Sequence, residues 1–202
     1  MATIIIGLGN PGEKFKNTKH NVGFLVLDAL AKNNNFENFA LSKKNLAEIS
    51  SALFKTSADK EDQVVLVKPQ TFMNDSGKSV QKLSIHYKLQ ATNYIVVHDD
   101  IDLPIGKIKI VKERGSAGHK GVESIIKAIG NENLVRFRIG IAKEINSTTI
   151  KSPQQKTQAL DVVLKKFSSS EKEIINSVIT KTTEALNFYL INGLEKTMNE
   201  YN

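Results

Sequence analysis

The run Thr3-Ile4-Ile5-Ile6-Gly7-Leu8 constrains this chain most: a short, continuous β-branched stretch that ends in glycines. A strand without polar alternation must be covered on both faces, which is the situation of a parallel strand inside an α/β sheet. The rest of the chain supplies the covers. Val22, Leu25, Val26, Ala29 and Leu30 recur at helical spacing within Val22 to Lys32. Asp75 or Ser76 can cap a helix running to about Lys88. A glycine-bearing loop, Gly115 to Gly121, leads into a helix over Val122 to Ile129. From Glu171 onward, Ile174, Ile175, Val178, Ile179, Ala185, Leu186, Tyr189, Leu190 and Leu194 form the clearest helical stripe.

Further strands are expected around Leu46–Lys55, Val64–Lys68, Tyr94–His98, Ile108–Ile110 and Arg136–Ile141. The first two flank a charged turn, Asp59 to Asp62. Lys32 to Lys44 is polar, and Asn146 to Gln155, holding Pro153, reads as a loop or lid. Strands interleaved with helices predict one α/β globular domain over residues 1–202, with a mixed sheet flanked by helices. At 202 residues and 40% apolar content the chain fits one domain with a full core.

Composition excludes several chemistries. With no cysteine, disulfides, thiolate nucleophiles and Cys-ligated metal sites are ruled out. The Thr3–Ile6 run is far too short for a signal peptide, and nothing approaches the ~18 apolar residues of a membrane span. A cytoplasmic protein is expected, with a monomer as the default. Lys and Arg total 28 against 21 acids, a net charge of +7, which hints at a polyanionic partner.

Gly7-Leu8-Gly9-Asn10-Pro11-Gly12 matches G-x-G-x-x-G and follows a strand, so a dinucleotide site is the first reading to weigh. It needs a helix that opens at once and an acid about 20 residues on. Pro11 and the polar run Glu13 to Lys19 delay the helix, and Asp28 falls inside it. Two other features are more informative. His20 precedes a helix, and Asp99 ends a buried strand, where α/β sheets place ligand-binding groups. Asp99, Asp100 and Asp102 could alternatively hold magnesium, since hard cations take oxygen ligands. Asn74 opens a loop beyond a strand, and Gly118-His119-Lys120-Gly121 precedes a helix whose free amides suit a phosphate. Lys107, Lys109, Lys112, Arg114, Lys120, Lys127, Arg136 and Arg138 concentrate charge in one third of the chain, as a phosphate-backbone surface would.

Read together and in order, five blocks resemble the bacterial peptidyl-tRNA hydrolases. They are Gly7 to Gly12, Thr18-Lys19-His20-Asn21-Val22-Gly23, Lys68-Pro69-Gln70-Thr71-Phe72-Met73-Asn74, His98-Asp99-Asp100-Ile101-Asp102-Leu103-Pro104 and Ala117 to Gly121. The ending, Gly193-Leu194-Glu195-Lys196 with Met198-Asn199, is similar too. The resemblance implies a mixed twisted sheet and metal-free, cofactor-free hydrolysis of the ester joining a peptide to the 3′-terminal ribose of tRNA. It implies His20 as base, Asp99 as its orienting partner, and Asn10 and Asn74 as substrate-positioning amides. Phe15, Phe72 and Lys120 are expected to line the substrate. Lys107, Lys109, Arg114 and Arg136 are expected to contact phosphates of the acceptor stem, next to the 3′ end.

Three positions depart from the family's usual residues. Lys120 stands where an asparagine is common, Phe15 where a tyrosine is, and Lys19 where an arginine is. The strand near Arg138 to Ala142 also lacks the usual Gly-Arg/His-Pro after it. Lys120 supports an alternative: a non-catalytic RNA-binding protein on the same scaffold.

Overall fold

A computed structural model describes residues 2–55, 61–87, 94–142 and 161–202. Among them, seven strands form one sheet: β1 (Ala2–Gly7), β2 (Ala40–Ser42), β3 (Ala47–Lys55), β4 (Glu61–Pro69), β5 (Tyr94–Pro104), β6 (Ile108–Lys112) and β7 (Val135–Ala142). Their order is β2-β3-β4-β1-β5-β7-β6. β1 sits at the centre, parallel to both neighbours, with Ile5 opposite Leu66 of β4 and Ile95 of β5. β7 extends the parallel part beside β5, while β2, β3 and β6 pair antiparallel at the edges. The mixed sheet expected from sequence is therefore present.

The helices are α1 (Val22–Asn33), α2 (Ser76–Tyr87), α3 (Lys120–Ile129), α4 (Ser169–Asn192) and α5 (Leu194–Tyr201). Ile4, Ile5 and Ile6 have no exposed surface, because the sheet carries a core on each face. On one face Ile5, Ile95, Val97 and Phe137 meet Val26 and Leu30 of α1 and Ile175 and Leu186 of α4. On the other, Ile4, Ile6, Val65 and Val96 meet Val80 and Leu83 of α2 and Val122 and Ile125 of α3. Each such aliphatic side chain contributes roughly 1.5–3 kcal/mol by leaving water.

Two glycines set where α1 begins. A Cβ at Gly7 would lie 2.4 Å from the Gly23 carbonyl oxygen, and one at Gly23 would lie 2.4 Å from the Leu8 nitrogen. The bare backbones let the start of α1 press on the end of β1. That contact delivers the preceding turn, Lys19–Asn21, to the carboxyl edge of the sheet.

Several elements differ from the sequence reading. β2 arises within the polar stretch, its side chains largely exposed, so hydrophobic pattern gave no sign of it. Glu61 and Asp62 belong to β4 rather than to a turn. β5 runs on through the acidic cluster to Pro104, with a register shift between Asp100 and Pro104. The long terminal stripe is two helices, broken at Gly193, whose φ of +78° lies in the left-handed region. At β6 the Asn202 side chain accepts from the Ile110 N–H at 2.7 Å and donates to the Ile110 carbonyl at 3.0 Å. The lid expected over 146–155 lies outside the described residues.

Candidate active site

Asp99 occupies the last regular pairing positions of β5, opposite Ile139 of β7, and is 1% exposed. The 3-10 turn Lys19–Asn21 hangs His20 beside it, with Nδ1 2.8 Å from Asp99 Oδ1. Burial alone would raise the Asp99 carboxyl. The facing His20 and His119 rings and their hydrogen bonds more than offset that and hold it far below the usual carboxylate range. An ionised Asp99 accepts only, so the proton of neutral His20 sits on Nδ1 and Nε2 carries the lone pair. Among the described residues Nε2 has no hydrogen-bond partner, and the His20 side chain is 9% exposed.

Asn10 is placed by an interlocking set of amides. Its backbone N–H donates to Asn21 Oδ1 at 2.9 Å, and Asn21 Nδ2 donates back to the Asn10 carbonyl at 2.9 Å. Asn10 Oδ1 accepts from the Met73 backbone N–H at 2.8 Å. With its oxygen engaged, the Asn10 side chain has its NH₂ left to donate, and that group has no acceptor among the described residues. The same bond seats the 3-10 turn Met73–Asp75, on which Asn74 is exposed. Phe72, 56% exposed, meets Phe15 edge-to-face at 6.4 Å, an aromatic pair open to a ligand.

His119 is the residue that sequence reading passed over. It caps α3: Nδ1 accepts from the Gly121 N–H at 3.2 Å and the Val122 N–H at 3.3 Å. Its Nε2 lies 3.0 Å from the Asp99 oxygen that also meets His20. His98 meets it edge-on at 4.6 Å and donates from Nδ1 to the Asp99 carbonyl at 2.7 Å. Burial, then the nearby His119 and Arg136, push His98 well below its ordinary value, so it is neutral. The spacing in Gly118-His119-Lys120-Gly121 marked a helix start. Nothing in it marked histidine rather than a Ser, Asp or Asn as the cap.

His20, Asp99 and His119 bring three ligand atoms within 4.8 Å of one another, the kind of cluster that can bind a metal ion. The cap argues against that use. A metal on His119 Nε2 needs a proton on Nδ1, and two amide N–H groups already point there. The magnesium reading of Asp99, Asp100 and Asp102 fares no better. Asp100 pairs with Arg138 Nε and accepts from the Asp102 N–H at 2.9 Å, while strand alternation turns it away from Asp99. The dinucleotide reading lacks its parts: α1 opens only at Val22, and Asp28 pairs with Lys68 at 2.8 Å.

Lys107 and Lys109 are exposed on and before β6, and Arg114 is exposed just beyond it. Arg136 departs from expectation. It is 1% exposed, its Nε and Nη1 find no partner among the described residues, and burial pushes it down to about 10. Arg138, its neighbour on the same face, reaches the surface instead. Lys109, Lys112, Arg114 and Arg138 line a groove of about 280 Å³ with Met198 and Asn202. The Asp100–Arg138 pair joins this basic edge to the position next to Asp99. Lys120, exposed at the first turn of α3, has no hydrogen bond or ion pair among the described residues.

Lys19, just before His20, is buried and pairs with Glu171 at 2.6 Å. Glu171 also closes the capping box of α4 with Ser168. The His20 turn is thereby tied to the longest helix.

The chain matches the peptidyl-tRNA hydrolase family over residues 4–202. It is 36% identical to a peptidyl-tRNA hydrolase of Lactococcus lactis subsp. cremoris over 203 residues, covering all of both chains. It is 38% identical to one of a Sulfurihydrogenibium species, covering 100% of this chain and 98% of that one. Among solved structures, peptidyl-tRNA hydrolase from Acinetobacter baumannii superposes with a TM-score of 0.85 at 28% identity. The match covers 100% of this chain and 94% of that one.

Proposed function

Because this chain belongs to the peptidyl-tRNA hydrolase family, we propose that it hydrolyses peptidyl-tRNA with His20 as the general base and Asp99 as its orienting partner. The reaction cleaves the ester between the peptide and the 3′-terminal ribose. The observation that carries the assignment of roles is the 2.8 Å contact of His20 Nδ1 with an ionised Asp99, with Nε2 left unpartnered among the described residues.

His20 Nε2 takes a proton from water as the water oxygen bonds to the ester carbon. The carbonyl electrons move onto oxygen, and the Asn10 NH₂, fixed by Met73, is the donor aimed at that oxyanion. The tetrahedral centre then breaks its bond to the ribose 3′ oxygen, which recovers the proton from the imidazolium. The products are a tRNA 3′ hydroxyl and a peptide acid, which becomes the carboxylate by losing its proton to solvent. A general base supplies roughly 10²–10⁴ in rate, and one oxyanion donor about 10²–10³. Asp99 stabilises the imidazolium while it exists.

Asn74 and the Phe15–Phe72 pair form the substrate side of the site in this reading. The exposed Lys107, Lys109 and Arg114, with Lys120, hold acceptor-stem phosphates through charge rather than base sequence. Arg136 serves beneath them as a buried charge that adds to the field. Phe15 and Lys120, in place of the family's usual residues, leave the His20–Asp99–Asn10 set complete, which favours turnover over RNA binding alone.

We place the protein in the cytoplasm as a monomer; no helix among the described residues is long and apolar enough to cross a membrane. The test is release of an N-acetyl-amino acid from charged tRNA by the native chain and His20→Ala. The variant should lose at least about a hundredfold in kcat. Equal activity of the two would overturn the assignment.

A further inference from the structure

We propose that His119 is a positioning residue for this hydrolysis: locked in one tautomer by capping α3, it holds the second hydrogen bond on the Asp99 oxygen that orients His20. The inference rests on His20 being the base.

The tautomer follows from the cap. The Gly121 and Val122 amides both donate to Nδ1, at 3.2 and 3.3 Å. A ring nitrogen that accepts carries no proton, so the proton of neutral His119 sits on Nε2 and points at Asp99 Oδ1, 3.0 Å away. Protonating Nδ1 would set its N–H against two amide donors at the positive end of a helix, and both capping bonds would be lost. The His119 side chain is 9% exposed, and the ring is packed 4.6 Å from His98 and 5.1 Å from His20. His119 therefore differs from His20 in kind. It accepts at the helix and donates to Asp99, so both of its ring nitrogens are already engaged.

This division has a consequence for the base. Asp99 Oδ1 receives two N–H groups, one from each imidazole. Rotating the carboxylate would break both together, so the oxygen that His20 meets stays in place when His20 becomes charged. With hydrogen bonds from both rings, Asp99 stays ionised to face the imidazolium. The folding of α3 and the aim of the base are joined through one side chain.

Two substitutions separate these duties. In His119→Asn the amide oxygen falls where Nδ1 stood and keeps the cap, but no donor reaches Asp99. In His119→Gln the amide nitrogen falls near Nε2 and keeps the donor, but the cap is lost. His119→Asn should unfold near the native temperature while kcat falls about tenfold or more at unchanged KM, the scale of one hydrogen bond to a charged group. His119→Gln should unfold at a lower temperature with kcat close to native. Ring-nitrogen NMR of the native chain should show His119 with Nδ1 bare and Nε2 protonated. The inference falls if His119→Asn keeps native kcat, if activity simply tracks unfolding temperature, or if Nδ1 carries the proton. Should His119→Asn fold poorly, the glutamine variant and the NMR measurement decide. His20→Ala, assayed alongside, reports separately on the base: native activity there would remove the underlying reading whatever His119 does.

Discussion

Replacing Lys19 with methionine tests how the base is held. Lys19 and Glu171 pair at 2.6 Å with side chains 5% and 7% exposed, so removing the ammonium leaves a buried carboxylate with only its Ser168 contacts. Breaking one partner of such a pair destabilises by about 3–5 kcal/mol. For a domain of this length each kcal/mol shifts Tm by roughly 2–4 °C, so Lys19→Met should unfold about 6–20 °C below native. Methionine keeps the stem over Phe167, whose ring lies 5.7 Å from the Lys19 nitrogen, so the loss reports charge rather than packing. Adding Glu171→Gln should recover more than half of it, because the amide keeps a polar contact with Ser168 and needs no counter-charge. Burial raises the Glu171 carboxyl, but Lys19 and Ser168 together hold it below its usual range. Its contribution is therefore present above the ordinary glutamate value and lost as pH falls, and the two unfolding curves should converge in acid. Thermal unfolding from neutral to acid pH, with hydrolysis measured in parallel, checks all of this. A Tm within 1–2 °C of native, or a double variant no more stable than the single, would refute the reasoning.

Asp99→Asn keeps an acceptor oxygen for both histidines and removes the charge, so kcat should fall by about 10²–10⁴ while tRNA affinity holds. Because the native Asp99 carboxyl is held far down, its stabilising share is present above about pH 4 and declines below it; native and variant Tm values should draw together in acid. Asn21→Ala removes both amide contacts to the Asn10 backbone and should lower kcat more than it raises KM in a steady-state assay. Lys120→Asn should weaken tRNA binding and reduce the salt slope of log K by about one, in a binding titration across salt concentrations.

The fold was legible where burial is two-sided or periodic. The Ile4–Ile6 run placed the central strand, and the Glu171–Leu194 stripe placed the long helix, because core packing there leaves few choices. β2 was not legible: three residues, two of them exposed, that pair along an edge carry no pattern. At the site, Asp99 stood out at the end of a buried strand and His20 before a helix, while Asn10 came in only through the family resemblance. Arg136 misled because strand alternation puts Arg136 and Arg138 on one face, and only the packing over that face decides which is buried. His119 stayed hidden because its role depends on which ring nitrogen meets the α3 amides, a matter of three-dimensional orientation. Asn21 was hidden likewise, since its two bonds join segments 11 residues apart.

The clasp of Asn202 on Ile110 bears on what can pair with this edge of the sheet. β6 is an outer strand, and such a strand offers its unpaired backbone groups to any passing chain. Ile110 lies at the middle of that strand, and its outward N–H and carbonyl are both taken by one side-chain amide. A foreign strand arriving there finds the central rung occupied and lysines on either side. The surface read as a cradle for RNA is thus also closed to sheet growth, so an Asn202→Ala chain should be the more prone to associate through this edge.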